Sequence, residues 1–186
     1  SDITFKMKDN EMIVHEKRAE PWTVTLIDTG DNSMTGGRLR RVLPYLKDEE
    51  SFCFTYGDGV ADINIKELIN FHKSHGKQAT LTAAYPPGRF GARNIENNQV
   101  KKFEEKPKGD GALINAGFFV LSPKVIERIK GDKTIWEQEP LKGLAEHGEL
   151  MSFKHEGFWQ PMDTLRDKMK LEELLEENKA PWKVWN

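Results

Sequence analysis

Asp58 follows the apolar run SFCFTY and stands between two glycines, in YGDG at 56–59. Asp163, in FWQPMDT at 158–164, lies between a proline-containing turn and a charged helical segment. Each acid has two readings. An Asp flanked by glycine is ordinary turn composition, and an Asp ahead of a helix is an ordinary N-cap. Both are also hard oxygen donors at strand-to-helix junctions. Two such carboxylates can converge on one Mg²⁺, which usually takes one or two protein ligands and completes its shell with water and phosphate oxygens. The glycines beside Asp58 would then be clearance for a large ligand.

A third group is FEEKPKGDG at 103–111, where Glu105 and Lys106 end a strand just before Pro107. Such a run is either solvated surface charge, or a point charge for a phosphate beside an acceptor for sugar hydroxyls. PPGRFGA at 86–92 is a rigid loop in which Gly91 can present a backbone N–H, and LINAGFF at 113–119 buries Asn115 and Gly117 in an apolar strand. A glycine there marks a bulge or a close ligand approach. A buried Asn needs partners, which a sugar could supply.

The elements that must carry these residues read as α/β. Residues 3–8, 12–17 and 23–27 are strand-like, followed by the Gly-rich loop DTGDNSMTGG and an amphipathic helix from Thr35 with Leu39, Val42, Leu43 and Leu46 on one face. SFCFTY is a strand of the buried type. Asp62 caps a helix carrying Ile65, Leu68, Ile69 and His72, Gly76 stops it, and QATLTAAY is the next strand: a βαβ unit whose strands should be parallel. Strands follow at 99–104 and 112–121, and Ser122-Pro123 opens a short helix. Thr134 to Glu137 has capping-box spacing for a helix that Gly148 ends. A strand at 150–155 and a helix over roughly 164–177 complete the chain.

Composition narrows the classes. The 186 residues fit one domain, and the 31% charged residues carry both signs dispersed to a net charge of −2, which excludes a basic nucleic-acid-binding run. The single Cys53 reads as a small core residue, and one cysteine allows no disulfide framework, which fits a reducing, cytoplasmic compartment. The apolar runs are too short for a signal peptide or a membrane span. His72 reads as a core or helix-edge histidine, and the five histidines have no metal-ligand spacing. The five tryptophans read as packing or subunit-contact residues. No GxSxG, Walker A or CxxC pattern occurs.

Taken in order, YGDG, PPGRFGA, FEEKPKGDG, INAGFFVL and FWQPMDT resemble the motif series of sugar-1-phosphate nucleotidyltransferases. EPWTVTLIDTGDNSMTGGRLRRV, DGVADINI and TIWEQEPL are similar to its cytidylyl-transferring members. The resemblance implies a Rossmann-like three-layer sandwich with a mixed, mainly parallel sheet. It also implies that residues 1–186 are one such domain lacking the family's amino-terminal glycine-rich segment, with 164–186 as a carboxy-terminal helix and aromatic tail. It implies CTP and glucose 1-phosphate as substrates and CDP-glucose for dideoxysugar and lipopolysaccharide synthesis as product. It also implies Mg²⁺ as cofactor and a homo-oligomer, a hexamer among its forms. Asp58 and Asp163 would share the metal, Gly57 would lie against the nucleotide, and Ser33 and Arg38 would contact the triphosphate. Lys106 would bind the sugar phosphate, with Glu105, Asn115, Gly117 and Gly91 around the sugar. Gly36 and Gly37 would leave N–H groups ahead of a helix free for anions. Two rivals remain at this level: transfer of another base or to another sugar 1-phosphate, and a non-catalytic sugar-phosphate-binding or assembly module.

Overall fold

The computed structural model describes residues 3–15, 22–86 and 113–184, with the backbone of 92–96 and 99–104. In chain order the strands are β1 (Ile3–Lys6), β2 (Glu11–Val14), β3 (Phe52–Thr55), β4 (Gly59–Ala61), β5 (Ala79–Ala84), β6 (Ala92–Glu96), β7 (Gln99–Glu104), β8 (Ile114–Leu121), β9 (Leu150–His155) and β10 (Trp159–Pro161). The helices are α1 (Thr35–Arg41), α2 (Ile65–His75), α3 (Glu139–Glu146) and α4 (Leu165–Glu176).

The central sheet has the order β3-β8-β5-β9. β8 is antiparallel to both β3 and β5, while β5 and β9 pair in parallel, so three of the four strands share a direction and the sheet is mixed. β3 and β5 do run parallel, as the βαβ pattern requires, but β8 lies between them. That insertion is invisible locally, because β8 comes from 30 residues beyond β5 in the chain.

Alternation along β8 builds both faces. Phe119 and Leu121 point into one cluster with Leu39 of α1, Val125 and Ile126 of the 3-10 helix Pro123–Arg128, Leu144 of α3, and Ile129 and Trp136 of the segment between those last two elements. Val120 and Phe118 point into the other, with Ile63, Leu68 and Ile69 of the α2 side. The result is helix, sheet, helix in three layers. Leu68 is 1% exposed, and burying such a side chain contributes roughly 1.5–3 kcal/mol.

Several local expectations hold. Ser122 caps the 3-10 helix by accepting from the Lys124 N–H. Gly76 ends α2 at φ +64°, the left-handed conformation that a glycine takes without cost. His72 is buried and hydrogen-bonds Thr80.

Others are corrected. Residues 23–27 join no strand among the described residues and leave Val24 and Leu26 exposed; β-propensity measures fit to a half-buried sheet face, and here no ladder supplies one. The helix from Thr35 stops at Arg41 and tightens into the 3-10 turn Leu43–Tyr45, because Pro44 disfavours helical geometry at Leu43. Cys53 is exposed rather than core: β3 is an edge strand, with Phe52 and Phe54 turned inward and Cys53 and Thr55 outward. Asn64, not Asp62, caps α2, accepting from the Glu67 N–H at 3.2 Å. α3 begins at Glu139 behind Gln138, so Thr134 to Glu137 is no capping box.

Candidate active site

β4 and β10 form a short antiparallel ribbon beside the main sheet, with Pro161 opposite Gly59 and Trp159 opposite Ala61. One step further, the Met162 N–H donates to the Asp58 carbonyl at 2.6 Å. The ladder therefore brings Asp163 level with Gly57, and one register positions both carboxylates. At the ribbon's other end the Asp62 N–H donates to the Phe158 carbonyl at 3.2 Å, and the Asp62 carboxylate accepts the Phe158 N–H at 2.7 Å. His155 Nε2 lies 3.0 Å from the same Asp62 oxygen. That clamp explains Asp62 better than a helix cap.

Asp163 is not the N-cap of α4 either. Thr164 caps it, in a reciprocal box with Asp167. The buried Gln160 ties β10 to α4, donating to Asp167 at 3.2 Å and accepting from Lys170 at 2.7 Å. Trp159 crosses the other way, its Nε1–H donating to the Ala116 carbonyl of β8 at 2.9 Å.

Between these elements lies a cavity of about 340 Å³ lined by Thr55, Tyr56, Asp58, Asn115, Gly117, Trp159 and Asp163 among others. It is within the size range of small-molecule sites. Asp58 does lie in a turn, the cap reading of Asp163 fails, and both carboxylates line one cavity.

Gly117 sits at φ +79°, and a Cβ there would come 2.6 Å from Tyr56 Cδ2, so the Tyr56 ring occupies the space a side chain would need. Its N–H donates to Asn115 Oδ1 at 2.9 Å. Part of the bonding capacity of Asn115 is met by protein. Around Gly57 a Cβ would meet nothing within 4 Å. The glycine leaves open space there.

The SMTGGR loop is elsewhere. Ser33 is buried, and Arg38 Nη1 donates to the Thr29 hydroxyl at 2.8 Å; neither lines the cavity. The reading of Gly36 and Gly37 as free anion donors is overturned: both N–H groups donate to the Thr134 carbonyl, at 3.0 and 3.2 Å. A Cβ on Gly37 would collide with the Asp132 backbone, and one on Gly36 would stand 2.8 Å from Thr134 O. These glycines let α1 pack against the 131–134 segment, and Arg41 locks that contact through both oxygens of Asp132, at 3.0 and 2.6 Å. Gly91, Glu105 and Lys106 lie outside the described residues.

Sequence reasoning passed over Tyr56, Trp159 and Glu137. Tyr56 sat in the quoted YGDG, and its place one residue after β3 was the available signal. The sequence spacing gives Glu137 a capping role, whereas in the structure its carboxylate accepts from the Tyr56 hydroxyl and, at 2.8 Å, from the Thr35 hydroxyl. Burial first, then the Glu137 contact, holds the Tyr56 phenol well above its ordinary range.

A mixed sheet between helical layers, with paired acids at its edge, defines a class that a family comparison sharpens: residues 3–173 match the nucleotidyl transferase family model, and the chain belongs to that family. It is 68% identical over 185 residues to the glucose-1-phosphate cytidylyltransferase of Salmonella typhi, covering 100% of this chain and 72% of that protein. The same figures hold for the protein of that name from Salmonella typhimurium. Among solved structures it is similar to HddC from Yersinia pseudotuberculosis, with a TM-score of 0.58 at 22% identity over 78% of this chain and 64% of that one, a likeness of fold.

Proposed function

We propose that this chain transfers the cytidylyl group of CTP to α-D-glucose 1-phosphate, giving CDP-glucose and pyrophosphate. The observation that carries the reading is the meeting of Asp58 and Asp163 in one cavity, in a chain that shares 68% of its residues with cytidylyltransferases of that name.

A sugar phosphate is largely dianionic at neutral pH, its second pKa being about 6. Its oxygen attacks the α-phosphorus of CTP, the bond from that phosphorus to the β-phosphate bridge breaks, and pyrophosphate leaves with the electron pair. The nucleophile needs no general base. What it needs is alignment and relief of the repulsion between two anions.

The donor set suits Mg²⁺: two carboxylates, with no cluster of three or more His, Cys, Asp or Glu among the described residues that would form a closed protein cage. Asp58 and Asp163 would hold the ion, which when bound neutralises developing charge on the phosphoryl oxygens. Asn115 and the bulge at Gly117 would orient the hexose. Lys106 would meet the sugar phosphate, with Glu105 and Gly91 on the sugar. Gly57 would face the nucleotide, and Ser33 and Arg38 would reach a triphosphate from a neighbouring copy in a homo-oligomer, since they lie away from this cavity. A cytoplasmic enzyme of this kind would supply CDP-glucose to dideoxysugar and lipopolysaccharide synthesis.

The test is pyrophosphate release with glucose 1-phosphate and Mg²⁺ in the presence of CTP, UTP or dTTP. Release should be fastest with CTP. Preference for another triphosphate replaces the cytidylyl assignment, and glucose 1-phosphate binding without turnover favours the non-catalytic module.

A further inference from the structure

Alternation along β10 decides which of its side chains reach the cavity. Gln160 is buried on the far side, where it meets Asp167 and Lys170 of α4, while its half-buried neighbours Trp159 and Pro161 line the cavity. Asp163 lines it two residues further on, so one face of this stretch presents an indole, a proline ring and a carboxylate in that order. Trp159 and Asp163 are at most about 14 Å apart along the chain. The cavity has an acidic end and an aromatic end.

The indole has no hydrogen bond left to give. Its single donor, Nε1–H, is taken by the Ala116 carbonyl of β8 at 2.9 Å. That bond also fixes the ring, and a Cβ on Gly59 would stand 3.9 Å from its Nε1. What Trp159 offers a ligand is therefore carbon surface held in one orientation, beside Pro86, Ile114 and Ala116. Such a surface recognises C–H groups, and in a hexose the hydroxyl configuration decides where those lie.

We propose that Trp159 is a specificity-determining residue of the sugar subsite, a platform on which the hexose packs the ring face opposite its phosphate. This rests on the sugar 1-phosphate reading of the cavity. In the α anomer the phosphate oxygen is axial and shares one face of the ring with H3 and H5. Turned toward the charged end, that face leaves the other to the indole. In glucose the axial groups on the other face are H2 and H4 alone, so it is flat and apolar. An axial hydroxyl at C4, as in galactose 1-phosphate, or at C2, as in mannose 1-phosphate, would stand on that face. It would give up its water to a carbon surface without a hydrogen bond in return. Trp159 thus selects the ring whose other hydroxyls are all equatorial.

The test is kcat/KM for glucose, galactose and mannose 1-phosphates, with whichever of CTP, UTP or dTTP the unaltered chain uses, so that an error in the base leaves it valid. Trp159→Leu removes the platform. It should raise the KM for glucose 1-phosphate about two- to tenfold, the range of one aromatic contact, and leave the KM for the triphosphate unchanged. The preference for glucose over the two axial sugars should narrow about fivefold or more, because their hydroxyl is no longer pressed against the ring. Trp159→Phe keeps an aromatic face without the bond to Ala116 and should keep most of the preference. Equal use of the three sugars by the unaltered chain, or an unchanged preference in Trp159→Leu, overturns the platform. A Trp159→Phe variant as unselective as Trp159→Leu assigns the effect to the lost Ala116 bond and overturns it too. Saturation-transfer NMR on the unaltered chain needs neither a variant nor turnover. Irradiating the aromatic protons in the presence of glucose 1-phosphate should label H2 and H4 more strongly than H3 and H5. The reverse order overturns the platform and leaves the sugar site standing, whereas labelling of no ring proton overturns both.

Discussion

The backbone N–H of Met162 meets the carbonyl of Asp58 at 2.6 Å, and this bond sets the geometry of the site. It joins Asp58 itself to the residue just before Asp163. Because β4 and β10 pair in a fixed register, the separation of Asp58 from Asp163 is a property of the ribbon and is not left to two independent loops. The Asp62 to Phe158 clamp and the Trp159 bond to β8 hold that ribbon at its far end and flank.

Asp58→Asn and Asp163→Asn should each leave a folded chain, since neither residue caps a helix in the structure. Each should lower kcat on the order of 10²-fold or more, the scale seen when one charge-stabilising group is removed from an active site. Direct titration with Mn²⁺, followed by its electron paramagnetic resonance signal, should show weakened binding in both. Unaltered Mn²⁺ binding in either variant would remove that residue from the metal site.

Gly117→Ala tests the bulge. The new Cβ would be forced both into a left-handed conformation, at φ +79°, and to 2.6 Å from the Tyr56 ring. Strain of this kind costs about 1–3 kcal/mol, and overpacking adds a similar amount. The melting temperature should fall by several degrees, by roughly 2–4 °C for each kcal/mol in a domain of this size. Gly37→Ala should fall further, because its Cβ meets the Asp132 backbone and not a side chain that can turn away. Thermal unfolding of both beside Gly57→Ala, whose surroundings are open, ranks the three. A Gly57 variant as unstable as Gly37→Ala would contradict the packing described.

Much of this fold was legible because its signals are local. The strand at 150–155 matches β9, the apolar run within 112–121 gives β8, and Gly76 marks the end of α2. What failed depends on distance in sequence. The insertion of β8 between β3 and β5, and the exposure of Cys53 on an edge strand, are set by pairing between segments tens of residues apart. The same holds for function. Asp58, Asp163, Asn115 and Gly117 could be picked out by their neighbours in the chain, and the ribbon and bulge bring them to one cavity. Glu137 could not, because its partners Thr35 and Tyr56 lie 102 and 81 residues away. Its own surroundings, TIWE, suggested a helix cap.

His72 and His75 should make stability fall in mild acid. Burial pushes the His72 imidazole below its ordinary value of 6.5, with neighbouring His75 and Lys73 acting in the same direction and Glu50 opposing. Burial likewise lowers His75, aided by Lys77 and opposed by Glu149. Both rings lie against the fully buried Thr80 hydroxyl, at 2.9 and 2.8 Å, which is satisfied when one neutral ring accepts its proton and the other donates to its oxygen. A histidine whose pKa is lower folded than unfolded stabilises the fold while it is neutral. That contribution is complete above the unfolded value and is lost as pH falls through 6.5 toward the folded value. The melting temperature should therefore hold from pH 8 to about pH 7 and decline below about pH 6.5. His72→Leu, which cannot charge, should melt lower at pH 8 for want of the Thr80 bond yet show a shallower decline toward pH 5. An equally steep decline in that variant would mean that other groups, not this pair, carry the acid sensitivity.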